Sequence, residues 1–540
     1  MIEKYLPFVK KPSRYINSEL NSVKKNSAKL KFCFCFPDMY EIGASNLGIE
    51  ILYHIVNSRD DSLAERVFCP DTDMEEILRR ENIELFSLET ETPLKYFDII
   101  GFSLQYELCF TNILTILDLA KIPLLAKDRN NENWTYPLII AGGPVCFNPE
   151  PVSDFFDLFV IGEAEDVINQ VIDCAIEHKF SDESKNKEKL LYKLSKIEGI
   201  YVPGIHRQNK ETFIKNRIVD LEKSFYPTKP IVPYVQTVHD RLNLEISRGC
   251  VHNCKFCQAT NIYRPWRERS PEKIFNYLVE GLKNTGYERV TLSSFSVSNY
   301  SKIDILIKNV SEYCSSKKIS LSVPSLRCDS MSRKILPYLV FQRRANLTFA
   351  IESGSQRLRN HIGKNIKDED IFETIKTSYN LGWRKIKLYF MIGLPTETFE
   401  DIESIIKIVD KLFISFPKIS FNITISPFVP KPHTPFQFER MEPEKTLLQK
   451  KQILFKKLKG DIKFHNIYMS KMEGVFSRGD SSLSKLILLA WKKGARFDHW
   501  HERFNYNIWD ESMKELGIEP ESFLRERDGS ESLPWDFIKL

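Results

Sequence analysis

From Leu242 onward the chain alternates short apolar runs with amphipathic stretches of helix length, and few folds accommodate that order. The strand candidates are Leu242–Ser247, Arg289–Phe295, Ser320–Val323, Asn346–Ile351, Lys385–Met391 and Phe421–Pro427. Between most of them stand helix patterns, among them Pro271–Lys283, Asp368–Leu381 and Glu400–Leu412. The pair Ser270-Pro271 marks a helix start, and Gly286 and Gly382 follow helix ends, the usual asymmetry of capping. Six such β/α units fit an open, partial barrel of parallel strands. A parallel barrel carries its working residues at the carboxyl ends of its strands.

The first third of the chain alternates in the same way. Lys29–Phe36, Asp98–Ser103, Pro137–Ala141 and Leu158–Ile161 read as strands, with helix patterns from about Asn46 to Val56 and up to Leu119. Gly162-Glu163-Ala164-Glu165 is expected to open a further helix. This predicts a doubly wound, Rossmann-like parallel sheet, whose ligands bind beyond the carboxyl strand ends. The turn Gly142-Gly143-Pro144 would lie there. The expected organisation is a first domain over 1–180, a linker with short strands over 181–238, a barrel over 239–440 and a mostly helical, aromatic-rich region over 441–540.

Directly after the first barrel strand comes Cys250-Val-His-Asn-Cys254-Lys-Phe-Cys257, three thiols spaced C-x3-C-x2-C. Such a loop brings three sulfurs to one small object and supplies no fourth. Thiolates are the usual ligands of iron–sulfur clusters, and three of them on a cubane leave one iron open for chemistry. The competing reading is structural zinc held by Cys250, Cys254, Cys257 and His252, a non-catalytic binding module. It suffers because His252 lies between two ligands on a short loop.

The cysteine spacing, with Phe256 before the last thiol, resembles the signature of the radical S-adenosylmethionine superfamily. The resemblance extends to Phe36-Pro-Asp-Met-Tyr-Glu-Ile-Gly43, Gly101–Glu107, Tyr263–Glu272, Leu347–Lys364 and Lys387–Glu397, which are similar to an uncharacterised family carrying an N-terminal cobalamin-binding-type domain. It implies a [4Fe–4S] cluster on Cys250, Cys254 and Cys257, whose open iron takes the amino and carboxylate groups of S-adenosylmethionine, and reductive cleavage to a 5′-deoxyadenosyl radical. It also implies cofactor contacts. Phe256 would buttress the pocket. Ser296 stands where many members use Gly-Gly-Glu. Arg327 would face the carboxylate, with a salt bridge to Asp329 or Glu352 as the alternative. Glu352, Ser353 and Gly354 would meet the amine or ribose, Ile392 and Gly393 the adenine, and Phe428 with Val429 would bracket it.

In the first domain, Ala141–Pro144, Asn148–Pro151 and Gly162–Glu165 resemble the cobalamin-binding type, with Gly142, Gly143 and Glu163 as candidate contacts. The Asp-x-His-x-x-Gly motif that gives cobalt a histidine is absent, and His54 stands alone in a helix pattern. Cobalamin would therefore lack a protein histidine ligand; the alternative is a Rossmann-like scaffold without cofactor. A cobalamin-dependent methyl or other group transfer is one expected outcome. Radical modification of a tRNA, an rRNA or a peptide without cobalamin is the other. The implied electron donor is of flavodoxin or ferredoxin type. No residue is singled out as catalytic.

Net charge is +5 over 540 residues, which permits an acidic partner without arguing for one. Eleven cysteines are scattered rather than arranged as a framework, which suits a reducing cytosol. Cys33, Cys35, Cys69, Cys109, Cys146, Cys174, Cys314 and Cys328 are expected to act as small apolar residues. No secretory signal and no membrane-crossing run is visible. Arg264, Arg267 and Arg269, interleaved with Tyr263 and Trp266, suit a stacked, phosphate-bearing partner, or pairing within the fold with Glu268 and Glu272. His499 and His501 flank Trp500, too sparse an arrangement for a metal. The helical tail is expected to be a small cap with its own core, the alternative being a dedicated recognition surface; such a cap could close over the barrel mouth and keep water from a radical.

Overall fold

Leu30–Phe36 (β1) is inaccessible at every position but Lys31, as a central parallel strand covered on both faces must be. The computed structural model describes residues 2–129, 135–208, 212–324, 326–342 and 346–540. Ser62–Phe68 (β2) flanks β1 on one side, and Ile99–Ser103 (β3), Leu138–Gly142 (β4) and Leu158–Val160 (β5) follow on the other, all parallel. Ile200–Tyr201 (β6) closes the sheet antiparallel to β5, giving the order β2-β1-β3-β4-β5-β6. Strand order reverses between β1 and β3, which is where doubly wound sheets open a ligand crevice.

Leu47–Asn57 (α1) and Val167–Lys179 (α3) cover the face carrying Phe32, Phe34, Ile140 and Val160. Phe110–Leu119 (α2) covers the face carrying Cys33, Cys35, Ile100 and Ile139. Two expectations shift here. The helix after Gly162 starts only at Val167, because Glu163 is held in an ion pair. Much of the expected linker belongs to this domain: β6 joins its sheet, and Leu190, Leu191 and Leu194 pack into its core. Strand β2 escapes a sequence reading because it carries Glu65 and Arg66 in its middle. Both are buried, and Arg66 is compensated by Glu89 at 2.7 Å and by Glu19.

All six expected barrel strands form. Leu242–Glu245 (β7), Arg289–Ser293 (β8) and Ser320–Ser322 (β9) make one parallel sheet. Leu347–Glu352 (β10), Lys385–Ile392 (β11) and Ser420–Pro427 (β12) begin a second, and Leu326↔Phe349 bridges the two. Asp461–Phe464 (β13) adds a strand parallel to β12. The barrel thus extends past residue 440, and the C-terminal region is less purely helical than expected. Pro271–Thr285 (α4), Ile303–Ser316 (α5), Asp368–Asn380 (α6), Phe399–Ser415 (α7) and Glu444–Lys457 (α8) are its outer helices. On β11 and β12, buried residues alternate with half-buried ones: Ile386, Leu388, Phe390 and Ile392 join the main core, while Lys387, Tyr389 and Met391 take the opposite face.

Ile467–Arg478 (α9), Leu483–Lys492 (α10) and Tyr506–Leu516 (α11) follow. They do not form a separate body. Trp491 donates its indole N–H to Thr115 of α2 at 2.9 Å, and Asn148 donates to the carbonyls of Ser477 and Gly479, both at 2.9 Å. Ser477 of α9 also accepts from Lys431, just past β12, at 2.8 Å, so the tail ties the first domain to the barrel. No helix among the described residues is long and apolar enough to cross a membrane.

Candidate active site

Cys250, Cys254 and Cys257 are unbridged thiols on the turn that leaves the first barrel strand. The turn is fixed from both sides. Lys255 donates its backbone N–H to Ile362 at 2.9 Å and Phe436 donates to the Lys255 carbonyl at 3.3 Å. Gly363 has φ +74°, and a Cβ there would meet the Asn253 carbonyl oxygen at 2.4 Å, so only glycine lets the segment after β10 approach this closely. Phe256 packs with Leu358, Ile362, Leu394, Phe428 and Phe436, an apolar bed beneath the loop.

His252 is engaged elsewhere, with Nε2 lying 3.1 Å from Asn299 Oδ1 and 3.3 Å from Ser296 Oγ. This geometry removes the histidine that a Cys₃His zinc site would need. It also gives Ser296 a structural partner. Its hydroxyl is buried and donates to Asn299 Oδ1 at 2.7 Å, so it braces the cysteine loop.

Beside the thiols stand two cations. Burial raises the Cys254 thiol pKa, and Lys364 and Arg327 oppose that rise. Lys364 was not visible as a site residue in the sequence; its Nζ lies 3.0 Å from Glu352 Oε1. Burial opposes its charge, but Glu352 outweighs the penalty and keeps its pKa above the ordinary lysine value. Arg327 donates to the Lys364 carbonyl and lies 3.8 Å from Asp329, so the alternative of an internal partner holds for Asp329 and not for Glu352. Glu352 sits at a β-bulge with φ +69°, a strained position that turns its carboxylate from strand direction toward Lys364.

Three of the expected contact positions carry packing of their own. A Cβ on Gly354 would strike the backbone of Ile405 on α7 at 2.1 Å, and one on Gly393 (φ +78°) would meet Glu442 at 2.8 Å. Gly354 thus lets α7 approach, and Gly393 the start of α8, whose Leu447 a Cβ would meet at 3.0 Å. Ile392 points into the helix-facing core at 1% exposure, so Met391 is the side chain that β11 turns to the lumen. Ser353 is buried, and the guanidinium of Arg359 takes its carbonyl at 3.0 Å. Phe428 lies in the apolar bed beside Phe256.

A second feature lies between the domains. A cavity of about 300 Å³ runs from Phe32, Phe34, Gly101 and Ile140 on the sheet, past Gly142, Gly143 and Gly162, to Glu245, Arg248, Tyr263 and Phe295 of the barrel side. Gly143 has φ +110° and crowds the Leu104 carbonyl, whereas a Cβ on Gly142 would find nothing nearer than Val160 at 3.9 Å. Gly142 thus leaves room that a side chain would fill. No histidine is among the described residues lining the cavity. Glu163 forms its far wall in a fork with Arg267, both bonds 2.7 Å, and Arg248 reaches Glu165 at 2.7 Å and Glu245 at 2.8 Å.

The arginine-rich loop is therefore spent internally. Arg267 holds Glu163, and Arg269 is buried over the rings of Tyr226 and Tyr277. Glu268 bonds Trp266 and Ser301 rather than an arginine. Arg264 reaches the Asn253 side chain.

Three cysteines at the mouth of a partial parallel barrel, preceded by a doubly wound domain, define a class of protein. The chain belongs to the radical S-adenosylmethionine superfamily: residues 48–203 match the family of radical SAM proteins, N-terminal, and residues 244–409 match the radical SAM superfamily. It is 30% identical over 495 residues to Uncharacterized protein MJ0966 of Methanocaldococcus jannaschii, covering 88% of this chain and 96% of that one. Among solved structures it resembles the radical S-adenosylmethionine methyltransferase TsrM from Kitasatospora setae with cobalamin and a [4Fe–4S] cluster bound. That likeness has a TM-score of 0.52 at 12% identity over 76% of this chain and 77% of that one. It also resembles the cobalamin-dependent S-adenosylmethionine radical enzyme OxsB with aqua-cobalamin and S-adenosylmethionine bound, with a TM-score of 0.54 at 14% identity over 90% and 70% of the two chains. At these identities the two structures speak for the fold.

Proposed function

We propose that this radical S-adenosylmethionine protein uses cobalamin held between its first domain and its barrel, and transfers a methyl or related group to a substrate carbon. The observation that carries this reading is the placement of the interdomain cavity, whose glycine-lined floor continues to Arg248 and Phe295 on the barrel side. Cys250, Cys254 and Cys257 would hold the [4Fe–4S] cluster, and Gly142, Gly143 and the neighbouring walls would hold cobalamin. When bound, the cluster supplies the electron that cleaves S-adenosylmethionine, and cobalamin supplies the transferable group. The protein's own part is positional. Lys364 and Arg327 place positive charge beside the thiolates, which favours their ionised, metal-binding form. Phe256, Phe428 and Phe436 keep the loop's inner side apolar. The ion pairs of Glu163 and Glu165 with Arg267 and Arg248 hold the two domains in one register.

Anaerobically reconstituted protein, loaded with hydroxocobalamin and passed through gel filtration, should retain a corrin spectrum and form 5′-deoxyadenosine or S-adenosylhomocysteine with a low-potential reductant. Loss of the corrin with turnover of S-adenosylmethionine intact would reject the cobalamin part. Absence of both products would reject the enzyme.

A further inference from the structure

Much of the interdomain cavity lies below the strand ends rather than at them. Gly101, one of its lining residues, stands two residues inside the end of β3, and Ile140 two residues inside the end of β4, about 7 Å down the sheet. Phe32 lies deeper still, four residues inside the end of β1. Ile51 and Leu52 of α1 and Ile168 of α3 close the space from the helix side. The room between sheet and helices has a visible cause. A Cβ on Gly101 would meet the Phe32 ring at 2.7 Å, so the ring fills the place of the missing side chain and stays low over the sheet.

This inner part is apolar, and the polar side chains belong to the rim. Each charged one there is taken: Glu163 by Arg267, and Glu165 and Glu245 by Arg248. At the end of β3, Ser103 Oγ accepts from Gln105 at 2.8 Å, and at the start of α1, Asn46 accepts from the Ile49 N–H at 2.9 Å. Volume then decides which part of a corrinoid can enter. Pockets of about 300–1,000 Å³ hold whole drug-sized ligands, and a corrin macrocycle with its amide side chains is larger than these. A cavity of about 300 Å³ takes one small aromatic group, such as the lower base that a corrinoid carries on its nucleotide tail.

We infer that the inner cavity receives this base, released from cobalt, and thereby selects among corrinoids: a benzimidazole or phenolic base is accepted and a purine is disfavoured. Adenine brings an amino group and three free ring nitrogens to inner walls that offer no side-chain partner, and each polar group buried unpaired costs free energy. Dimethylbenzimidazole carries a single free ring nitrogen and cresol none, and their methyl groups gain from the same burial. The inference rests on the cobalamin reading above and adds which corrinoids qualify.

The experiment is absorbance titration of the anaerobically reconstituted protein with p-cresolylcobamide, adeninylcobamide and cobinamide, which lacks a base, all in the cob(II) form. Cresol does not coordinate cobalt and adenine does so weakly, so release from the metal does not blur the comparison. The cresolyl form should bind about tenfold or more tighter than either of the others. Bound cob(II)alamin should show no nitrogen superhyperfine splitting from its dimethylbenzimidazole in electron paramagnetic resonance. Leu52→Gln, at a half-buried position on α1, brings an amide to the cavity and should narrow the gap between cresol and adenine about threefold or more, with iron content and thermal unfolding unchanged as the check on folding. Equal affinity for all three corrinoids, a preference for adenine, or retained nitrogen splitting would overturn the selection while leaving the protein a corrinoid binder. A gap unchanged in folded Leu52→Gln would place the base elsewhere and overturn the assignment as well. Failure of every corrinoid to bind would instead reject the cobalamin reading itself.

Discussion

Asp498 shows how a single side chain carries the C-terminal region's dependence on pH. It is buried and accepts from Trp509 at 2.9 Å and Thr111 at 2.8 Å, linking the tail to α2. Burial pushes its pKa up to about 6, so the folded state prefers the protonated carboxyl. For a raised pKa, that stabilisation is complete below the unfolded value near 4 and is lost as pH rises through 6. Lowering pH from 7.5 to 5 should therefore favour the natural protein over Asp498→Asn by about 1 kcal/mol, read from urea midpoints at the two pH values. An unchanged gap would mean that the carboxyl titrates normally. At the same scale, adjacent glycines should behave oppositely. Gly143→Ala meets both a left-handed φ and the Leu104 carbonyl and should cost about 2 kcal/mol or more. Gly142→Ala should fold normally yet lose corrin on gel filtration.

Among the elements, α8 anchors the end of β11, the fifth barrel strand. Lys450 of α8 pairs with Glu397 at 2.8 Å and Glu442 at 3.1 Å, and Glu397 also receives the Gly393 N–H at 2.7 Å. Lys450 and Glu397 are buried. Lys450→Met strands that carboxylate and should destabilise by about 3–5 kcal/mol, measured by thermal or denaturant unfolding. A loss under 1 kcal/mol would show that Glu397 takes up a proton or finds water. The elements themselves were largely legible: β1, β3 and the barrel strands announce themselves by apolar runs ending in glycine or polar turns. What hid was what tertiary pairing overrides. β2 carries a buried arginine matched by distant glutamates, and β13 alternates Asp, Ile, Lys and Phe with little burial, so neither has a strand's usual composition. The cysteine loop was readable from spacing alone. Lys364, Asn299 and the packing contacts of Ser296, Gly354 and Ile392 were not, because side-chain direction depends on bulges and register that one sequence does not encode locally.

At the level of the whole molecule, three regions share one working volume. The doubly wound sheet presents its crevice, the barrel presents its cysteine loop, and the tail is bonded to the first through Asn148, Trp491 and Trp500 and to the second through Lys431, which donates to Ser477 Oγ at 2.8 Å. This makes the tail an integral wall rather than a detachable cap. Every functional proposal depends on the three thiols holding a cluster with an iron left over for S-adenosylmethionine. The most direct test is iron, sulfide and zinc analysis, with electron paramagnetic resonance after reduction, of anaerobically reconstituted protein and of the Cys250→Ala, Cys254→Ala and Cys257→Ala variants. A [4Fe–4S] cluster on these thiols predicts about four irons and four sulfides per chain, a reduced-cluster signal that changes when S-adenosylmethionine is added, and loss of the cluster in each variant. Stoichiometric zinc without sulfide, or a cluster that survives all three substitutions, would contradict it.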